Sequence, residues 1–240
     1  MKYILITGSS RGLGLEIAKQ LEDSNTSLII TGRNNLTLQN ASKELSYSKN
    51  HIFLQIDFEK ELYKLIDLIN NQQIFLNGII HNLGVKLPSD SHPIDMKILD
   101  KTLKLNLYTA IEINSSFIKN VLSSYCKIIH IGSNIGENGN SSPAYSISKG
   151  ALNTYIKNIA RYYAMDNISI CAVLPGAMDH DGSDWSIKKI EKFSRYEEVK
   201  NSLPLGKYCS TKDVATFVKK IYNLDIDLIN GSLFKIDGGV

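Results

Sequence analysis

The 240-residue chain is poor in cysteine, has no long apolar run and carries almost no excess of charge. Its three cysteines, Cys126, Cys171 and Cys209, have no short pair spacing, and an odd number cannot close into a full set of intrachain disulfides. A reducing cytoplasm is therefore expected rather than a disulfide-built exterior. No stretch reaches the roughly 20 apolar residues of a membrane-spanning helix, and the opening MKYILITG turns to glycine and serine too soon for a signal-peptide core. A soluble protein with no membrane partner is expected. Lys and Arg number 27 against 24 Asp and Glu, a balance of +3 scattered along the chain. That is too small and too even to mark a nucleic-acid surface. The histidines at 51, 81, 92 and 130 form no local cluster and read as structural. The consecutive Asp179, His180 and Asp181 lack the spacing of ligands that converge on one ion, so no metal is expected.

What the chain does have is a composition 43% hydrophobic, enough for one large α/β domain over residues 1–240. Seven short, isoleucine-rich runs stand out: YILIT (3–7), SLIIT (27–31), IFLQI (52–56), LNGIIH (76–81), KIIHI (127–131), ISICAVL (168–174) and SLFKI (232–236). Each reads as a strand buried on both faces. Segments of helical period lie between them, such as Leu13, Ile17 and Leu21, or Leu62, Leu65, Ile66 and Ile69. The alternation predicts a doubly wound, parallel seven-stranded sheet with helices on both faces. Pro143 to Met165 reads as one helix, from Ile147, Ala151, Tyr155 and Ile159. Residues 178–204 are polar, hold the single tryptophan, Trp185, and form no obvious strand, which predicts a mobile excursion over the sheet.

Between the first strand and the first helix lies TGSSRGLG, with Gly8, Gly12 and Gly14. Glycines there let the backbone turn sharply and let a pyrophosphate approach the N–H groups of the helix N-terminus. A plain strand-to-helix turn is the bland alternative. The second strand ends in Arg33, where an NAD site would usually offer a carboxylate to the ribose hydroxyls. Arg11 and Arg33 together could hold a 2′-phosphate by paired, charge-assisted hydrogen bonds, favouring NADP(H) over NAD(H), or both could be solvated surface charges. Asp57, ending the third strand, could accept from an adenine amino group or cap the helix that follows. Tyr145 and Lys149, in AYSISKG, are one turn apart on one helix face, a geometry that permits chemistry without requiring it.

Taken in order, these motifs make the chain resemble the classical short-chain dehydrogenase/reductase family from end to end, particularly members similar to 3-oxoacyl-(acyl carrier protein) reductases. TGSSRGLG matches the family's cofactor turn, HNLG (81–84) its fourth-strand motif, Asn106 its helix asparagine and IGSNIG its serine. YSISK matches its tyrosine and lysine, LPG (174–176) its proline–glycine turn and INGSLFKIDGG (229–239) its closing strand. The resemblance implies a Rossmann fold and an oxidoreductase that moves a hydride between NADP(H) and a carbonyl or secondary alcohol. It implies Tyr145 as proton donor or acceptor, Lys149 on the nicotinamide ribose, Ser133 bonded to the substrate oxygen and Asn106 anchoring a relay water. It implies a cofactor along Gly8, Ser10, Arg11, Gly12, Leu13, Gly14, Arg33, Asp57, Phe58, Asn82, Gly84, Tyr145, Lys149, Pro175, Gly176 and Met178.

The chemistry needs these residue types. Bringing a phenol of pKa about 10 to neutrality takes roughly 4 kcal/mol of phenolate stabilisation, for which an ammonium one turn away is the obvious source. Two positions depart from the pattern. Leu83 stands where the family has a small residue and crowds the path of the cofactor ribose, and His180 replaces a threonine, to donate to the nicotinamide carboxamide or to face solvent. Residues 178–204 are expected to form a substrate lid. The substrate is a 3-oxoacyl thioester or, alternatively, a sugar or polyol; a nucleotide-binding regulatory module without turnover is the rival from another class. Tyr155, Tyr162 and Tyr163 are expected to pack against a helix or subunit, and the family resemblance implies a homodimer or homotetramer.

Overall fold

A computed structural model describes residues 1–119, 122–225 and 227–240. Its seven strands are β1 (Lys2–Ile6), β2 (Thr26–Gly32), β3 (Ile52–Gln55), β4 (Leu76–His81), β5 (Leu122–Ile131), β6 (Ile168–Pro175) and β7 (Leu233–Ile236). They form one sheet in the order β3-β2-β1-β4-β5-β6-β7, with every pairing parallel. Each expected strand is present, β5 starting five residues earlier than its isoleucine run.

Successive side chains of a strand point to opposite faces, and the isoleucine runs use both. Leu5, Ile29, Ile79, Ile128 and Ile170 enter one core, against α3 (Leu62–Asn71), α5 (Thr109–Phe117) and α7 (Pro143–Tyr162). Ile4, Ile6, Leu28, Ile30, Ile80, Ile129 and Val173 enter the other, against α1 (Gly12–Leu21), α2 (Asn35–Glu44) and α10 (Thr211–Asn223). Full burial of each such side chain stabilises the fold by about 1.5–3 kcal/mol. α4 (Met96–Leu103) runs through a π-helical turn, Lys104–Tyr108, into α5.

The chain leaves β1 and β4 toward opposite ends of the sheet. Their neighbouring carboxyl ends therefore flank a crevice, the usual ligand position in such sheets.

The segment 178–204, expected as a mobile excursion belonging to no obvious strand, is largely helical. It contains the short α6-independent pair α8 (Asp184–Glu191) and α9 (Phe193–Ser202), whereas α6 (Ile135–Asn138) lies earlier, after β5. Its polar residues favour helix by local pairing: Ser183 accepts from Ser186 N at 3.0 Å, and Asp184–Lys188, Arg195–Glu198 and Glu197–Lys200 are ion pairs one turn apart.

Candidate active site

The glycine turn is built for close approach. Gly8 and Gly12 have φ of +64° and +57°, and a Cβ on Gly14 would lie 2.5 Å from Gly8 O and 2.6 Å from Asn82 Nδ2. Asn82 ties the end of β4 to this turn, its Nδ2 donating to Thr7 O (3.1 Å) and Gly8 O (2.9 Å). Arg11, the residue before α1, makes no side-chain cap, which leaves the first N–H groups of this ten-residue helix to an anion. Leu13 and Phe58 are buried in the two cores, so only their main chains can serve a ligand. Ser10 Oγ accepts from Thr37 Oγ1 at 3.1 Å beside Gly32. Arg33 is exposed, and Asp57 Oδ1 accepts Glu59 N at 3.0 Å, so Asp57 does cap the following turn.

Lys149 and Asn106 flank Gly84, and Tyr145, one turn before Lys149 on α7, is hydrogen-bonded to Ser133. A Cβ on Gly84 would lie 3.3 Å from Lys149 Nζ and 3.7 Å from Asn106 Oδ1. Lys149 Nζ donates to Ile131 O at 2.9 Å and lies 5.8 Å from the Tyr145 ring centroid. Burial lowers the Lys149 ammonium to about 8. Burial raises the Tyr145 phenol, and a hydrogen bond with Ser133 pulls it back down.

Asn106 sits in the π-helical turn. Its Oδ1 accepts Val85 N (2.7 Å), while its Nδ2 donates to Val85 O (2.9 Å) and Ser148 Oγ (2.9 Å). Its two amide donors are therefore divided between the loop after β4, at Val85, and α7, at Ser148. Ser133 is buried, and its Oγ also accepts Ile135 N at 3.3 Å.

The two departures resolve differently. Leu83 packs against core side chains and lines a small cavity of about 10 Å³ with Leu105 and Asn106, so part of its bulk points inward. The half-buried His180 ring lies over the glycine turn, where a Cβ on Gly12 would be 2.9 Å from Cε1, and its Nδ1 pairs with Asp181 O at 3.1 Å. The Arg11 guanidinium packs against Gly182 of the same segment. Pro175 ends β6, Gly176 follows it with its N donating to Ile236 O at 3.2 Å, and Met178 bridges in parallel to Cys209.

Several residues of the site were not legible as such. His81 and His130 are direct partners across β4 and β5, and their rings stack 4.4 Å apart at 18°. Parallel register thus joins two histidines that the sequence separates. His81 Nε2 pairs with Asn114 Oδ1 at 2.8 Å, whereas neither ring nitrogen of His130 has a hydrogen-bond partner among the described residues. Asn114 Nδ2 in turn donates to Tyr155 OH at 3.1 Å, so Tyr155 packs against α5 of its own chain, while Tyr162 is 75% exposed. Asp90, on the same loop as Val85, accepts from Ala144 N and Tyr145 N.

Among the described residues no group of three His, Cys, Asp or Glu could hold a metal ion, and no helix is long and apolar enough to cross a membrane. The three cysteines are free.

The family model for short chain dehydrogenases matches residues 2–189. The chain is 27% identical over 247 residues to a 3-oxoacyl-(acyl-carrier-protein) reductase of Aquifex aeolicus, covering 100% of this chain and 97% of the relative. It is 30% identical over 243 residues to the reductase of that name from Rickettsia prowazekii, covering 100% and 96%. A solved short chain dehydrogenase family protein from Francisella tularensis superposes with a TM-score of 0.87 at 25% identity, covering 100% and 98%.

Proposed function

The chain belongs to the short-chain dehydrogenase family, and we propose that within it the protein is an NADP(H)-dependent carbonyl reductase in which Tyr145 gives the proton to the substrate oxygen. It is an oxidoreductase of this family by its whole-length likeness to such enzymes. The observation that carries the residue assignment is the placement of Asn106 and Lys149 on either side of Gly84, with Tyr145, one turn before Lys149, hydrogen-bonded to Ser133. A nucleotide-binding module without turnover has no physical need for that set.

The donors present fit a dinucleotide. The uncapped N-terminus of α1, with the main chains of Gly8, Ser10, Gly12, Leu13 and Gly14, suits a pyrophosphate. Arg11 and Arg33 suit a 2′-phosphate, the main chain at Asp57 and Phe58 an adenine, and Asn82 and Gly84 a ribose. Tyr145 and Lys149 would hold the second ribose, with Pro175, Gly176 and Met178 at the nicotinamide end. When bound, the reduced cofactor supplies a hydride.

Ser133 then holds the carbonyl oxygen and Tyr145 OH gives it a proton, so the product is an alcohol and the phenol is left as phenolate. Lys149, as ammonium, favours that phenolate. Because the amide donors of Asn106 are already committed to Val85 and Ser148, the water that returns the proton is held by main chain and by Lys149 rather than by those donors.

For substrate we favour a 3-oxoacyl thioester, because the similar proteins are 3-oxoacyl-(acyl-carrier-protein) reductases. A sugar or polyol is the second reading, supported by the polar lining of residues 178–204, where Asp179 meets Tyr196 OH at 2.7 Å and Lys189 at 3.4 Å. This segment is the lid, and Lys86 reaches it at Asp184 (3.4 Å). Exposed Tyr108, Ile147 and Tyr162 on the outer side of the α5 and α7 layer suit the interface of a homodimer or homotetramer. Free cysteines suit a reducing cytoplasm. NADPH oxidation with a panel of 3-oxoacyl thioesters, ketoses and simple ketones tests the reading. Turnover with one of them supports it; NADPH binding without oxidation by any would favour the regulatory module.

A further inference from the structure

We propose that Asp90 is a positioning residue for Tyr145: from the loop after β4 its carboxylate supplies the N-terminal cap of α7, tying the placement of the phenol to the order of that loop. The inference rests on the reading of Tyr145 as proton donor.

α7 begins at Pro143, so the second and third helical positions, Ala144 and Tyr145, present N–H groups with no partner in the helix. The residue in the capping position, Ser142, makes no side-chain cap bond. Asp90 does this work from 54 and 55 residues away, Oδ1 accepting Ala144 N and Oδ2 accepting Tyr145 N, both at 2.9 Å. Asp90 is only 7% exposed, and no Lys or Arg pairs with it among the described residues. A carboxylate is rarely so buried unless something compensates its charge. Here two charge-assisted bonds and the positive end of a 20-residue helix do so.

Two oxygens on two successive N–H groups fix the roll of the first helical turn, and Tyr145 is one of the two residues gripped. The other end of the same loop is held by Asn106, through both main-chain groups of Val85. Between these anchors Lys86 reaches Asp184 of the lid. A cap within the helix would have stabilised α7 without involving the loop. Supplied from the loop, it makes a correctly placed phenol conditional on a correctly placed substrate wall.

The test uses the full chain with Asp90→Ala, Asp90→Asn and the double variant Asp90→Ala with Ser142→Asp, whose carboxylate reaches the same two N–H groups from the capping position. The readouts are kcat and KM for the carbonyl substrate, the Kd for NADPH and Tm. Asp90→Ala is expected to lower kcat about 10- to 100-fold, the cost of a misplacement near 1 Å, with the NADPH Kd changed less than about twofold. The double variant is expected to recover Tm while kcat stays about tenfold low, because the helix is capped again but the loop is not tied. An unchanged kcat in Asp90→Ala overturns the inference. So does full recovery of kcat in the double variant, which would make Asp90 a helix cap and nothing more. Should Asp90→Ala not fold, Asp90→Asn, which keeps the volume and one acceptor oxygen, carries the same kcat-against-Kd comparison. Activity retained in Tyr145→Phe would instead remove the underlying assignment, whatever Asp90 does.

Discussion

Replacing His130 by leucine should flatten the acid side of the stability profile. His81 and His130 are both buried and stacked, and burial is the first cause holding each below its ordinary value of 6.5, His81 at about 4 and His130 well below 6.5. The Asn114 bond draws His81 partly back up, whereas His130 is pushed further down by His81 and Lys149. In the unfolded chain both take up a proton near pH 6.5, so the unfolded state binds more protons and stability falls as the pH drops from 6.5 toward 4. Between pH 7 and pH 5 each histidine should remove about 2 kcal/mol, the pair about 4 kcal/mol.

Urea unfolding at pH 7, 6 and 5, followed by circular dichroism, measures this directly. His130→Leu should lose about 2 kcal/mol less than the parent over that interval. Its stability at pH 7 should not suffer greatly, because two buried ring nitrogens without partners are replaced by an apolar group of similar size. An identical pH dependence in parent and variant would refute the argument, since it would mean that His130 already carries its proton or is open to water in the folded state.

Two further outcomes follow from the site. In the proposed mechanism Lys149 acts as an ammonium, and because burial lowers it to about 8, kcat for carbonyl reduction should decline as the pH rises through about 8; a flat profile to pH 9.5 would contradict the assignment. Arg33→Ala should weaken NADPH binding by about 10- to 100-fold and NADH binding by less than about twofold, as measured by titration of nicotinamide fluorescence. Equal loss for both would place Arg33 away from a 2′-phosphate.

The strands were legible because each centres on a short run of isoleucine, leucine or valine, in the central strands buried on both faces with few polar interruptions, whereas the edge strands β3 and β7 are only partly buried. The glycine turn was legible because its chemistry is carried by contiguous residues, Gly8 to Gly14. Asp90 was not, because its partners lie more than fifty residues away and neither Asp nor Ala–Tyr is unusual where it stands. The stacked histidines were hidden for a related reason: only the register of β4 on β5 sets His81 against His130. The helices within residues 178–204 were harder to read because a serine cap and one-turn ion pairs support them and their few apolar residues, such as Ile187, Ile190 and Phe193, are exposed rather than forming a buried stripe.

The most direct test of the central claim is single-turnover oxidation of bound NADPH by a 3-oxoacyl thioester in the parent and in Tyr145→Phe. Removing the proton donor should leave NADPH binding intact and slow oxidation by about 10²- to 10⁴-fold. Oxidation in Tyr145→Phe at the parent rate would contradict the account.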